Sequence, residues 1–192
     1  NDSTIRPIIA DSFRNEVQVV NTVLSVDQNA SPEMAAMLGA SIALCISDIP
    51  FNGPIAGVNV GYIDGQYTIN AGPEAMENSE INLEVAGTKF AINMVEADSK
   101  EVSEEEMLEA IMFGHEQIKK LIAFEEEIVT AVGKEKMEIP LFSLDETIVH
   151  DVTEAANDRM KAAISIPGKL ERYDAIDALK AEVVASYEEK DY

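Results

Sequence analysis

Two strand-like runs joined by Asp64-Gly65 restrict the fold of this chain more than any other feature. Residues 55–62 and residues 66–70 contain β-branched and aromatic side chains, and only two residues separate the runs. The Asp-Gly pair favours a type I′ reversal, because glycine adopts a positive φ without strain and aspartate tolerates one. The sequence therefore predicts an antiparallel hairpin at this position.

Three further strands are predicted in the first hundred residues. Residues 16–26 alternate apolar and polar side chains and are rich in β-branched residues, which is typical of a strand with one buried face. Residues 81–86 and residues 90–95 form a second strand pair, reversed at residues 87–89. These runs indicate a mainly antiparallel sheet.

A buried helix is predicted between the first strand and the hairpin. Ser31 is a good N-cap residue, and Pro32 suits the first helical position. Residues 34–46 follow as an Ala-rich run that is apolar on nearly every side. Strand, helix and two hairpins indicate an α+β fold, a partial core in which a helix packs against a mainly antiparallel sheet.

The hydrophobic period becomes helical after residue 100. Ser103 and Glu106 form a capping box, which marks a helix N-terminus. Apolar residues then recur at helical spacing as far as Val132, and Gly133 is predicted to end this helix as its C′ residue.

Two more helices are predicted near the end of the chain. Ser143 and Glu146 form a second capping box, opening a helix that runs to about Ser165. Residues 167–168, a Pro-Gly pair, break this helix. Residues 170–189 form the last helix, so the region reads as a small antiparallel helical unit.

The density of charge also changes near residue 100. Residues 1–100 carry 4 basic and 13 acidic side chains, whereas residues 101–192 carry 10 and 23. We therefore predict two domains, a sheet-containing domain with its long terminal helix at 1–133 and a helical domain at 134–192. Residues 134–141 are the expected hinge.

Composition excludes several classes of protein. A net charge of −22 with only 14 lysines and arginines argues against a nucleic-acid clamp, which normally shows a cluster of basic residues. No run approaches the roughly 20 apolar residues that a membrane span requires. The start of the chain lacks the features of a signal peptide. It also lacks an initiator Met, which favours a fragment or a processed chain.

The residues that most often carry chemistry are sparse here. No phosphate-loop, nucleophile-elbow, metalloprotease or Cys-x-x-Cys motif is present. Cys45 is predicted to be a buried thiol, His115 a core or interface histidine, and His150 a solvated or capping residue. The glutamates at 104–106 suit a helix N-terminus, and those at 125–127 suit a solvated face. No catalytic residue and no metal ligand is therefore assigned.

Arg6 and Arg14 stand out because basic residues are so rare in the first half of the chain. Both flank an apolar run just before the first predicted strand. Contact with an anionic backbone is one interpretation of this pair. An ion pair with one of the 36 acidic residues is the other, and the surplus of carboxylates favours it.

Several blocks of sequence are far more specific than these patterns. IRP lies at residues 5–7 and FRNEVQVVNTVLSVD at 13–27; IPFNGPIAGVNVGYIDGQYTIN follows within 31–70, and VAGTKFAINMVEADSKEVSEEE opens 85–129. In this order they resemble the first RNase PH-like core of the bacterial polynucleotide phosphorylase (polyribonucleotide nucleotidyltransferase) family. Similarity is weaker over residues 137–192, which resemble part of that family's all-helical linker domain. The chain thus resembles the C-terminal half of the first core plus part of the linker.

The resemblance implies a role in RNA degradation. The family degrades mRNA from the 3′ end by phosphorolysis, as a cytoplasmic homotrimer with further RNA-degradation partners. The resemblance places the reaction, and the Mg²⁺ or Mn²⁺ that assists it, in a second core that lies outside this chain. This chain would be inactive alone and would serve as scaffold, RNA channel and trimer-forming region, with no cofactor of its own.

One departure bears on RNA binding. The family pattern usually reads D-R-P-I-R-P, whereas residues 2–7 read DSTIRP, so Ser3 replaces a basic residue. Arg6 keeps its match and is the one predicted RNA-binding residue. An acidic, non-enzymatic interaction or assembly module is the alternative that the composition leaves open. An incomplete sheet would also leave an open edge, which predicts self-association.

Overall fold

Two compact units, residues 1–141 and residues 142–192, make up the chain. The computed structural model of the protein describes residues 2–27, 29–140 and 142–187. The first unit combines a sheet with helices, and the described part of the second is helical. The predicted α+β class, in which helices pack against a mainly antiparallel sheet and a helical part follows, is confirmed.

The first unit contains four helices, four strands and a 3₁₀ turn at Arg6–Ile8 among its described residues. The strands are antiparallel, and their spatial order is β2-β1-β3-β4. In chain order the elements are α1 (Asp2–Ile5), α2 (Pro32–Ile46), β1 (Ala56–Ile63), β2 (Gln66–Ile69), α3 (Pro73–Met76), β3 (Ile81–Gly87), β4 (Ile92–Ser99) and α4 (Glu104–Val132).

The predicted hairpin is the pair of β1 and β2. Asp64 and Gly65 connect the strands with φ angles of 51° and 73°. Both angles are positive, as a type I′ turn requires. The hairpin and its turn are therefore confirmed.

The second predicted strand pair is also confirmed, with a later start for its second strand. β4 begins at Ile92 instead of residue 90 because the turn is longer than expected. The amide of Thr88 donates to the carbonyl of Ala91 at 2.8 Å, and the Thr88 hydroxyl accepts from the amide of Phe90 at 3.3 Å. These bonds hold residues 88–91 in the turn.

The main core lies between α4 and one face of the sheet. Val58, Val60 and Val85 on this face are almost completely buried, and Ile118 of α4 packs against them. Gly114 lets the helix approach closely, because a Cβ atom there would lie 3.0 Å from Cγ2 of Val60. The predicted apolar stripe of α4 thus packs against the residues of β1 and β3 that point to one face of the sheet.

The predicted capping box at the start of α4 is present. The Ser103 hydroxyl accepts from the Glu106 amide at 3.2 Å, and the Glu106 carboxylate accepts from the Ser103 amide at 2.9 Å. The helix ends at Val132, as predicted, with Gly133 as its C-cap. The φ of Gly133 is −65°, so the left-handed conformation that helix-ending glycines often adopt is not used here.

A second, smaller core lies around α2. Its N-cap is Ser31, whose hydroxyl accepts from the Glu33 amide, and Pro32 is the first helical residue, as predicted. Leu44 of this helix packs with Ile5 and Phe51. The N-terminal segment is therefore attached to the rest of the unit through apolar contacts.

Residues 16–26 do not form the predicted strand. This stretch has no regular secondary structure and pairs with none of the four strands. Its apolar side chains are largely in solvent, with Val20 73% and Leu24 91% exposed. Strand propensity alone does not make a strand, because the backbone also needs a neighbouring strand to bond with.

The prediction of a solvated face for residues 125–127 is wrong for Glu125. Its side chain is completely buried. The apolar stripe of α4 explains this position, since Glu125 falls between Ile122 and Val129 at helical spacing. Glu126 is partly exposed and Glu127 is exposed, as predicted.

The second unit is described as a pair of helices, α5 (Glu146–Ile164) and α6 (Lys169–Tyr187). The predicted capping box at Ser143 is wrong, because Asp145 is the N-cap and accepts from the Thr147 amide at 2.8 Å. Across the pair, Arg159 donates to Glu182 at 2.8 Å. In the described part of the chain, no helix is long and apolar enough to cross a membrane.

Candidate nucleic-acid interface

Arg6 and Arg14 line one cleft of about 470 Å³ near the N-terminus. Phe13 and Asn15 line the same cleft, and the stretch from Val17 onward, which has no regular secondary structure, forms another part of its wall. Both arginines are exposed, and Phe13 is half-buried. The structure thus brings together two guanidinium groups, an aromatic ring and a side-chain amide.

The backbone around Arg6 is firmly placed. Ile5 is buried in the core around α2, and Ile8 and Ile9 pack against that core. The Ile9 amide donates to the Arg6 carbonyl at 3.2 Å, and the Asn52 amide donates to the Ile8 carbonyl at 3.1 Å. Because the isoleucines point inward, Arg6 is left on the outer side of the 3₁₀ turn.

Arg14 follows a tight turn. The Phe13 amide donates to the Ala10 carbonyl at 2.9 Å, which closes the turn. Nη1 of Arg14 donates to the backbone carbonyl of Asp11 at 3.4 Å, so the guanidinium is held near the cleft. Asp11 itself lines the cleft and lowers the positive potential that the two arginines create.

These groups match the chemistry of single-stranded nucleic acid. A guanidinium forms charge-assisted bonds with phosphate oxygens, and an aromatic ring offers a face on which a base can stack. Arg6 and Arg14 are also the only basic residues before Lys89 in the sequence. Both of these cations therefore belong to one cleft of an otherwise acidic region.

The sequence singled out both arginines but missed Phe13. The available signal was the position of this aromatic residue directly before Arg14. That signal is weak because the ring could equally have joined the core. In the structure, the turn at residues 10–13 places the ring at the cleft.

The remaining residues of interest lie away from this cleft. His115 is buried on α4, as predicted, with Nε2 3.1 Å from the Thr88 carbonyl oxygen, and His150 is exposed, as predicted. Cys45 is the predicted buried thiol. Burial and the nearby Glu125 raise the pKa of Cys45 to about 11, so the thiol is a poor nucleophile at neutral pH.

Metal ligands do not gather in the described part of the chain. Across residues 2–27, 29–140 and 142–187, no three His, Cys, Asp or Glu side chains come together to hold an ion. No residue of this described part is therefore assigned as a metal ligand.

Three family models match consecutive stretches of the chain. Domain 1 of the 3′ exoribonuclease family matches residues 2–50, and domain 2 of that family matches residues 53–117. The RNA binding domain of polyribonucleotide nucleotidyltransferase matches residues 147–192. The cleft thus lies in the stretch matched by domain 1, and α5 and α6 lie in the stretch matched by the RNA binding domain.

Curated relatives match along nearly the whole chain. The polyribonucleotide nucleotidyltransferases of Bacillus subtilis and Bacillus velezensis are each 60% identical to it over 191 residues, which is 100% of this chain. The enzyme of that name from Streptococcus gordonii is 57% identical over 189 residues, or 98% of the chain. The chain spans 27% of the length of the two Bacillus relatives and 26% of the Streptococcus relative.

Proposed function

Because this chain belongs to the polyribonucleotide nucleotidyltransferase family, we propose that it forms part of an enzyme that degrades RNA from the 3′ end by phosphorolysis. An oxygen of inorganic phosphate attacks the phosphorus of the terminal phosphodiester. The bond from that phosphorus to the 3′ oxygen of the preceding nucleotide breaks, and this oxygen takes up a proton. The terminal nucleotide leaves as a nucleoside diphosphate. Identity of 57–60% over essentially the whole chain is the observation that carries the proposal.

The role of this chain within that enzyme is to hold RNA and build the assembly, not to cleave. Among its described residues, no three His, Cys, Asp or Glu side chains come together to hold a metal ion, and Cys45 is buried. The Mg²⁺ or Mn²⁺ of the family is proposed to bind outside this chain. Residues 1–133 are assigned to the first RNase PH-like core and residues 134–192 to the helical linker.

Arg6 is the proposed RNA contact. Its backbone is anchored by the isoleucines beside it, so contact with a phosphate requires ordering of the Arg6 side chain but not of the backbone. Phe13 offers a stacking surface in the same cleft, and Arg14 adds a second cation. The surrounding carboxylates weaken the attraction for RNA and favour contact at this cleft over contact elsewhere on the unit.

The remaining properties follow from the family and stay part of the proposal. The assembled enzyme is a homotrimer that works in the cytoplasm with further partners in RNA degradation. The alternative of an acidic, non-enzymatic assembly module has only the net charge of −22 in its favour.

A phosphorolysis assay tests where the reaction is carried out. The 192-residue chain, incubated with poly(A), phosphate and Mg²⁺, is expected to release no ADP. The full-length Bacillus subtilis relative is the positive control. ADP release from the purified chain would refute the assignment of the chemistry to another part of the enzyme.

Salt dependence of RNA binding tests Arg6. Removing one phosphate contact lowers the slope of log K against log salt concentration by about 0.7 for single strands. Arg6→Ala should show this change with a labelled oligo(A), while Arg6→Lys should keep most of the slope. Lys100→Ala is the matched control, because Lys100 is an exposed cation outside the cleft. An unchanged slope for Arg6→Ala, or no binding by the unaltered chain, would exclude Arg6 as a contact.

A further inference from the structure

Glu125 is a carboxylic acid inside the protein with nothing to bond to. The side chain is completely buried, and neither of its oxygens has a hydrogen-bond partner among the described residues. It lies on the buried stripe of α4, between Ile122 and Val129. An isolated buried carboxylate is very costly, so such a group is held in its neutral form or is forced out.

The neighbours of Glu125 belong to α2. Ser41 and Cys45, both buried, are the side chains of this helix that interact with it. The Ser41 hydroxyl accepts from the Ile55 amide at 3.0 Å and does not reach hydrogen-bond geometry with the carboxyl. The acid therefore lies at the contact between α2 and α4.

The cation beside Cys45 at this contact is already engaged. Nζ of Lys136 donates to the backbone carbonyls of Leu44, Cys45 and Ser47 at 2.8–2.9 Å. These three bonds use all the protons of the ammonium group and cap the C-terminal end of α2. Lys136 is thus held by the helix end and forms no ion pair with Glu125.

The other ionisable groups near this contact are few. From α2, Cys45 presents its thiol, and Lys136 approaches from the chain after α4. Next to Glu125 on its own helix, Glu126 is paired with Lys89 at 3.0 Å, and Glu127 is exposed. From the sheet side, the Ile55 amide bonds Ser41 and brings no charge.

We propose that Glu125 makes the packing of α2 against α4 sensitive to pH. The helices pack around the neutral acid. Once the carboxyl ionises, the buried charge must reach water, and the C-terminal half of α2 separates locally from α4. This inference does not depend on the proposed enzymatic role.

The expected pH range follows from the environment of the group. Burial raises the pKa of Glu125 from 4.5 to about 7, and the nearby Ser41 hydroxyl opposes part of this rise. The unfolded chain ionises at the lower value and the folded protein at the higher one. Between them the folded state holds one more proton, so rising pH lowers the folding equilibrium constant by about tenfold per pH unit. The contribution is constant below pH 4.5 and above about pH 7.

Urea unfolding of the 192-residue chain from pH 5 to pH 8 tests the proposal. Other carboxylates titrate too, so the informative quantity at each pH is the folding equilibrium constant of the unaltered chain divided by that of Glu125→Gln. The amide replacement has the same shape and cannot ionise, so this ratio should fall by about tenfold per pH unit up to pH 7. Glu127→Gln is the matched control, and the corresponding ratio for it should show no such trend. A ratio for Glu125→Gln that stays constant with pH would overturn the proposal.

Two measurements remain decisive if Glu125→Gln does not fold. The infrared carbonyl band of a protonated carboxylic acid should be present in the unaltered chain at pH 6 and lost above pH 8. Amide hydrogen exchange at Leu44 and Cys45 should accelerate between these pH values beyond the intrinsic effect of pH. Absence of the band at pH 6 would show that Glu125 is ionised while buried and would refute the proposal.

Discussion

Strand β3 and residues 16–26 look alike in sequence and differ completely in the structure. Both alternate apolar and polar side chains and contain β-branched residues. In β3, Ile81, Leu83 and Val85 are almost fully buried, and the strand is bonded to β1 on one side and to β4 on the other. In the other run, Leu24 is almost fully exposed and the backbone pairs with none of the described strands.

The difference teaches that strand formation depends on neighbours as much as on residue type. β3 has a hairpin partner close in sequence and a helix that covers its apolar face. Residues 16–26 have a matching pattern but pair with no strand of the described chain. Propensity is a local property, whereas burial and backbone pairing are supplied by the rest of the protein.

A matched pair of leucine truncations tests this comparison most strongly. Leu83→Ala leaves a cavity in the main core and should lower the free energy of unfolding by about 2–5 kcal/mol. Leu24→Ala removes a side chain from solvent and should change it by less than about 0.5 kcal/mol. Urea unfolding followed by circular dichroism measures both. Equal losses would mean that residues 16–26 pack against the protein in solution.

The sequence predicted elements well where local signals agree with the fold. The hairpin at Asp64-Gly65, the capping box at Ser103 and the Ser31 N-cap are confirmed, and each is encoded by a stretch of only a few residues. Each depends on short-range chemistry that the rest of the chain does not override. The error at Ser143 has the same origin, because Asp145 offers an equivalent side-chain acceptor two residues later.

The candidate site was only partly visible in the sequence. Arg6 and Arg14 attract notice through the scarcity of basic residues, but their shared cleft is a tertiary feature. Glu125 was misassigned because a run of three glutamates suggests solvent. Helical phase alone would have placed it on the buried stripe, and its lack of partners is visible only in three dimensions.

A substitution in the turn between β1 and β2 should have an intermediate effect on the free energy of unfolding. This turn sets the register of the hairpin, and Gly65 lies in it with a φ of 73°. Gly65→Ala should therefore destabilise the protein by about 1–2 kcal/mol. Gly39→Ala is the control, since this helix position has no atom within 4 Å of a new Cβ, and it should stabilise by about 0.5–1 kcal/mol. Thermal or urea unfolding measures the change in the free energy of unfolding for each of the two variants.

A destabilisation of similar size by both glycine substitutions would contradict the role of the turn. The contacts of the hairpin with β3 and α4 would then hold it without help from the turn. The absence of such tertiary contacts, and not the absence of a turn, would explain why residues 16–26 form no strand.

Self-association of the isolated chain is the prediction with the smallest effect on stability. Val20, Val23 and Leu24 are exposed apolar residues on an unpaired backbone, which can bond to a strand of another copy. We expect concentration-dependent association in light scattering. Val20→Lys with Leu24→Lys should reduce it while changing the free energy of unfolding by less than about 0.5 kcal/mol per site. Phe90→Lys is the control, because Phe90 is similarly exposed but lies in a turn. A chain that stays monomeric at high concentration would show that residues 16–26 do not pair with a strand of another copy, even when other copies are present.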